Sequence, residues 1–133
     1  MTPIAPYIRP RDLEGYEEVA HILGNRPLFH FSAVHSFFFA EREDLLGDMW
    51  CDIELVLVEL EPPRRKIGFR FHRVLDVTYS GFGQIMGLYA QSIKERGWEK
   101  VRYEIGDYED GRIHFFCHSV ALYDPTKVAS PET

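Results

Sequence analysis

Among the residues able to do chemistry, histidines stand out: there are six in 133 residues, two of them in the aromatic stretch "FHFSAVHSFFFA", residues 29–40. A zinc site needs ligand atoms about 2 Å from a common point. His30 and His35 are separated by five positions, so in a strand they point to opposite faces and lie roughly 17 Å apart. They cannot share an ion. His114 and His118 share a strand face but are roughly 13 Å apart along it. A metal-dependent hydrolase would therefore need histidines from adjacent strands, His72 beside His114 or His118, and their register is not written in the sequence.

The other reactive groups offer less. Cys51 and Cys117 lack the paired spacing of a zinc site and are too few for a disulfide framework. Cys117 alternates onto the apolar face of Ile113 and Phe115, where it reads as a small buried hydrophobe, and the adjacent His118 faces away from it. Gly81, Gly83 and Gly87 in "SGFGQIMG" lack the Lys-Ser/Thr of a phosphate loop and the frame of a dinucleotide site, and so read as a turn and a bulge. There is no serine elbow. No catalytic residue, metal or cofactor is implied.

Two acidic clusters remain. "AEREDLLGD" offers Glu41, Glu43, Asp44 and Asp48, and "GDYED" offers Asp107, Glu109 and Asp110 around Tyr108. Solvated loops of this composition aid solubility. They also suit a docking surface, in which carboxylates steer a basic partner and Tyr108 supplies an anchor. The chain carries 21 acidic against 15 basic residues, a net charge of -6, which argues against phosphate-backbone binding and for a cationic partner. No apolar segment has bilayer length and the N-terminus lacks the plan of a signal peptide, so a soluble cytoplasmic protein is expected, with no membrane and no nucleic acid among its partners.

These residues need elements to hold them. The chain is 45% hydrophobic and 14% aromatic, ample for one continuous core. Residues 1–10, with three prolines, read as an extended arm. "DLEGYEEVAHILGN" predicts an amphipathic helix with Asp12 as N-cap, a stop at Gly24 and Asn25, and a stripe of Leu13, Tyr16, Val19, Ala20 and Leu23. After Pro27 the pattern turns to strands. Phe29, Phe31, Ala33, His35, Phe37 and Phe39 share the expected core face of the first. "WCDIELVLVELE" places Cys51, Ile53, Leu55 and Leu57 on one face, and its second half is apolar on both, as in a strand covered from two sides. "IGFRFHRVLDVTY" alternates until a bulge near Arg73. "QIMGLYAQSIKE" reads as a further strand, although its composition would also suit a helix. "KVRYEIGDY" and "RIHFFCHSVALY" flank a hairpin turn at Asp110-Gly111 and should pair antiparallel. The expectation is a single α+β domain over 11–124, an antiparallel sheet or sandwich of about six strands with one N-terminal helix packed against it, followed by a disordered tail at 125–133.

In this order the elements resemble the immunity protein 50 family, small bacterial proteins of polymorphic toxin systems. That family has a short N-terminal helix, a segment like Gly-x-Trp-Pro-x-Phe-His-Asp-Ala-Glu-Val, and later Phe-x-x-Val-x-Asp near Gly-Phe. Here "LGNRPLFHFSAV" keeps Gly24, Pro27, Phe29, His30 and Val34, and "FHRVLDVTYSGF" keeps Phe71, Val74, Asp76, Gly81 and Phe82. The closing "GRIHFFCHSVAL" is also similar. The resemblance spans roughly residues 13–122. Arg26 stands where the family has Trp, and Phe31 and Ala33 stand where it often has acids, so a role for those acids does not carry over. The resemblance implies a binding protein that neutralises a cognate protein toxin; the acidic balance would suit a basic nuclease, and a homodimer is left open. A small metal-dependent hydrolase and a small-ligand binder with a cleft between sheet and helix are the alternatives.

Overall fold

Val, Ile, Phe and Tyr dominate the chain beyond residue 30, and such residues suit a pleated, half-buried surface. The computed structural model describes residues 9–24, 31–80, 88–93, 102–107 and 113–127. It contains strands β1 (Phe31–Glu43), β2 (Met49–Glu59), β3 (Lys66–Tyr79), β4 (Leu88–Ser92), β5 (Tyr103–Asp107), β6 (Ile113–Cys117) and β7 (Ser119–Tyr123), with one α-helix, α1 (Tyr16–Leu23). All strand pairs are antiparallel, in the order β1-β2-β3-β6-β5-β4, and β7 pairs the first half of β3. The fold is the expected α+β class, an antiparallel sheet with its helix packed on one side. The described residues form seven strands because the last apolar stretch bends at His118: β7 pairs β3 at Gly68–His72 and β6 pairs it at Leu75–Tyr79.

Bulges shape the sheet. On β3 the core-facing residues run Ile67, Phe69, Phe71 at steps of two, then Val74 and Val77 at steps of three, then Tyr79. Cys51 stands opposite Val74 and Ile53 opposite Phe71, so His72 and Arg73 together oppose the single residue Asp52. Arg73 has φ 56°, and a second irregularity between Leu75 and Thr78 contains Asp76 at φ 54°. An extra residue bends its strand. The end of β3 swings back across the core, and the Tyr79 ring stacks on Phe37 of β1 with centroids 4.2 Å apart, although β2 lies between the two strands.

β1 uses the same device and corrects the expected face. Register shifts fall between Phe31 and Ala33 and between Val34 and Ser36. Phe31, Val34 and Phe37 therefore meet the core, whereas His35 is exposed and Ala33 has turned off the core face. Phe29 and His30 lie outside the described residues. β2 follows expectation: Ile53, Leu55 and Leu57 are fully buried on one face, and Val56 and Val58 are buried on the other. Across that second face the Tyr123 ring lies flat over Gly68, where a Cβ would come within 2.4 Å of it. Only a glycine admits the ring.

The helix begins later than the N-cap at Asp12 predicts. Pro10–Asp12 form a short 3-10 turn, and Glu14 runs beside Ala121 of β7, with its carbonyl accepting the Leu122 amide at 2.7 Å. That bridge holds residue 14 extended. Gly15, at φ 83°, then turns the chain into α1, and Gly24 ends it as expected. Val19, Ile22 and Leu23 are buried against the sheet, with Leu13 and Tyr16 packed beside them. Ile22 is buried where the expected stripe has Ala20, which is only half-buried. At the other terminus the buried Asp124 carboxylate accepts the amide and hydroxyl of Thr126, and Lys127 N–H closes a turn onto the Asp124 carbonyl at 3.1 Å. Residues 1–8 of the expected arm, the Asp110-Gly111 turn and residues 128–133 of the expected tail lie outside the described residues.

Candidate functional site

The first acidic cluster sits on a projecting hairpin. β1 and β2 remain paired out to Glu43 and Met49, beyond Cys51, where the β2–β3 ladder ends. Asp44 builds the tip: its Oδ1 accepts the amides of Leu46 at 2.9 Å and Asp48 at 3.0 Å, and Gly47 turns at φ 86°. The Asp44 carboxylate is thus occupied within the turn. Glu41, Glu43 and Asp48 are exposed, and between them Leu45 and Leu46 stand clear of the body, 104% and 88% exposed. Phe38, Phe39 and Met49 are also more than half exposed along the ribbon. Sequence reasoning weighed the acids here and passed over the leucines. The signal was present, since two adjacent leucines inside an acidic turn have no core to enter.

Of the second acidic cluster, Asp107 alone falls within the described residues. Asp107 is buried, and its Oδ1 accepts the Ile113 amide at 3.1 Å, so it serves the β5–β6 junction. This corrects its assignment as a docking residue. Tyr108, Glu109 and Asp110 lie outside the described residues.

The three histidines weighed for a metal site split into two groups. The β3 bulge carries His72 and Arg73 to Asp52, whose Oδ1 lies 3.1 Å from His72 Nδ1 and accepts the Arg73 amide at 3.0 Å; its Oδ2 is 3.5 Å from Arg42 Nε. One carboxylate thereby ties β1, β2 and the β3 bulge. Trp50 packs edge-on to the His72 ring at 5.8 Å and beneath the Arg73 guanidinium at 4.3 Å. His118 approaches His72 at 6.4 Å between rings. His114 belongs elsewhere: it stands opposite Thr78 and its Nε2 lies 2.7 Å from Glu104 Oε2. His72, His114 and His118 do not converge. Among the described residues, no group of three or more His, Cys, Asp or Glu side chains is placed to hold a metal ion.

On the sheet face away from the helix, Arg42, Asp52, Glu54, Arg70, His72 and Ser119 line an open cleft of about 300 Å³. Arg70 pairs with Glu54 at 3.3 Å and lies over the Tyr123 ring at 4.1 Å. Burial and the Glu54 carboxylate push the Tyr123 hydroxyl up to about 12, against the opposing pull of Arg70. This cleft is distinct from the one between sheet and helix that the small-ligand alternative would use. Burial likewise pushes the Cys117 thiol far up, which leaves it protonated and inert as a nucleophile. Sequence reasoning missed Asp52. Its signal was an acid set between Cys51 and Ile53 just ahead of the strand's apolar second half.

The bulge also sets a pH dependence. Burial lowers the His118 pKa from 6.5, and the charges of Arg102, His72 and Arg73 lower it further. The folded chain then binds this proton less tightly than the unfolded chain, so acidification below pH 6.5 favours unfolding until the folded pKa is passed. In urea unfolding between about pH 7.5 and 5.5, the wild type should lose more stability on acidification than His118→Gln does. Parallel pH profiles for the two would refute this.

Together these features define an antiparallel α+β protein that presents a rigid acidic hairpin. Among the described residues no helix is long and apolar enough to cross a membrane. Compared with known proteins, the chain matches no family model, no curated protein and no solved structure.

Proposed function

We propose that this chain is a non-enzymatic immunity-type protein that acts in the cytoplasm by binding and neutralising a cognate bacterial toxin. The β1–β2 tip carries the reading: two leucines stand fully outside the fold, held by Asp44 and flanked by Glu41, Glu43 and Asp48. An apolar anchor within a charged rim is the anatomy of a protein interface. Pre-organisation of the turn lowers the entropy lost on docking. The negative rim, on a chain of net charge -6, fits a basic partner such as a nuclease and would speed encounter with it. The resemblance to the immunity protein 50 family supplies the class of partner.

The gene beside this one should encode a toxin, and its toxin domain is the partner to test. Co-expression should restore growth to cells making that toxin, and the purified proteins should form a complex whose affinity falls as salt rises. The triple charge reversal Glu41→Lys, Glu43→Lys, Asp48→Lys leaves the Asp44 turn intact and should weaken binding at least about tenfold. Failure of the wild-type protein to bind or protect would refute the function; unchanged affinity of the triple variant would refute the surface.

A further inference from the structure

We infer that the open edge of β1 is the seam of a symmetric homodimer in which β1 pairs antiparallel with β1 of a second copy. β1 stands at one end of the strand order, and among the described residues no strand pairs with its outer side. Exposed edges are ordinarily blunted by bulges, prolines or charges. Both β1 bulges fall before Ser36, so they guard only the first part of the strand. From Ser36 to Ala40 the edge reads Ser-Phe-Phe-Phe-Ala, with no charge and no proline, and Phe38 and Phe39 are 67% and 52% exposed on opposite faces of it.

Symmetry and charge select the register. A two-fold axis between antiparallel strands stands perpendicular to the sheet, so paired residues come from the same face in both copies. With the axis at Phe39, Phe38 opposes Ala40 of the partner subunit and Arg42 opposes Ser36 of the partner subunit. Glu43 then lies beside His35 of the partner subunit, an exposed imidazole in each copy. The two Phe38 rings become diagonal neighbours, close enough for aromatic contact. No like charges meet in this register. The result is a sheet continuous through both copies, with the leucine tips left free at its two ends. A seam of one strand pair is at the low end of interface size, so the expected dissociation constant is micromolar.

Sedimentation velocity from about 5 to 200 μM tests the seam on the intact chain. The wild type should pass from monomer to dimer over that range. Phe38→Lys, at an exposed position that leaves the core untouched, should remain monomeric with an unchanged circular dichroism spectrum. Glu43→Lys should weaken the dimer, and adding His35→Glu to it should restore association by giving the new lysine a carboxylate opposite it, a recovery that no general loss of folding would produce. A wild type that is monomeric throughout, a dimer that survives Phe38→Lys, association beyond a dimer, or no recovery in the charge exchange would each overturn the inference.

Discussion

Replacing Phe71 with alanine should lower the unfolding free energy by about 3–5 kcal/mol, the usual cost of emptying a buried aromatic site. The ring is 1% exposed and packs edge-on to Phe115 at 4.8 Å and parallel to Phe69 at 5.9 Å. Phe71 opposes Ile53 on β2 and Val120 on β7, just before the bulge. A cavity there sits where strands from both halves of the sheet meet, and backbones pinned on each side resist collapse into it. Large destabilisation follows. By contrast, Leu45→Ser with Leu46→Ser should change stability by no more than about 0.5 kcal/mol, because neither side chain touches the body. Urea unfolding of the two variants against wild type checks both statements. A Phe71→Ala cost below about 1 kcal/mol would show that the ring is not locked in the core. The contrast separates residues that hold the fold from residues exposed at the fold's expense, and the tip leucines are of the second kind.

How far the sequence reveals this arrangement depends on what each signal measures. Alternation reports burial on the two faces of a strand, and it reads β2 correctly because β2 lies in the interior of the sheet and its ladder with β1 is regular from Ser36 to Glu43. The bulge at Arg73 was legible because the apolar phase visibly changes there. The bulges of β1 were not: Phe29, Phe31, Phe37 and Phe39 satisfy a period of two, and nothing local shows that Val34, at a spacing of three, takes the inner place. The helix start was masked in a similar way. Asp12 is a good cap by type, but the Leu122 amide captures the Glu14 carbonyl from a strand more than a hundred positions away. Acids were countable, whereas their burial was not. Asp107 and Asp44 both spend carboxylate oxygens on backbone amides, a use that composition cannot distinguish from a docking charge.

The same consideration makes Asp52 a polar residue whose loss should be costly. Asp52→Ala should lower stability by about 2–4 kcal/mol, because it strands partners rather than merely deleting an ion pair. The Arg73 amide has left the strand ladder at a left-handed bulge residue, and Asp52 Oδ1 is its acceptor at 3.0 Å. His72 Nδ1 loses the same oxygen. The Arg42 side chain is 54% exposed and can turn to water, so its pairing is worth only about 0.2–1 kcal/mol. The His72 ring is 43% exposed and can also turn to water, so most of the loss is assigned to the amide. Arg42→Ala should be nearly neutral, and Asp52→Asn, which keeps an acceptor oxygen for the amide, should cost well under half of what Asp52→Ala does. If Asp52→Ala and Arg42→Ala proved equally mild in urea unfolding, the carboxylate would be a surface pairing and the bulge would hold itself. If Asp52→Asn cost as much as Asp52→Ala, the charge rather than the acceptor would be the stabilising property.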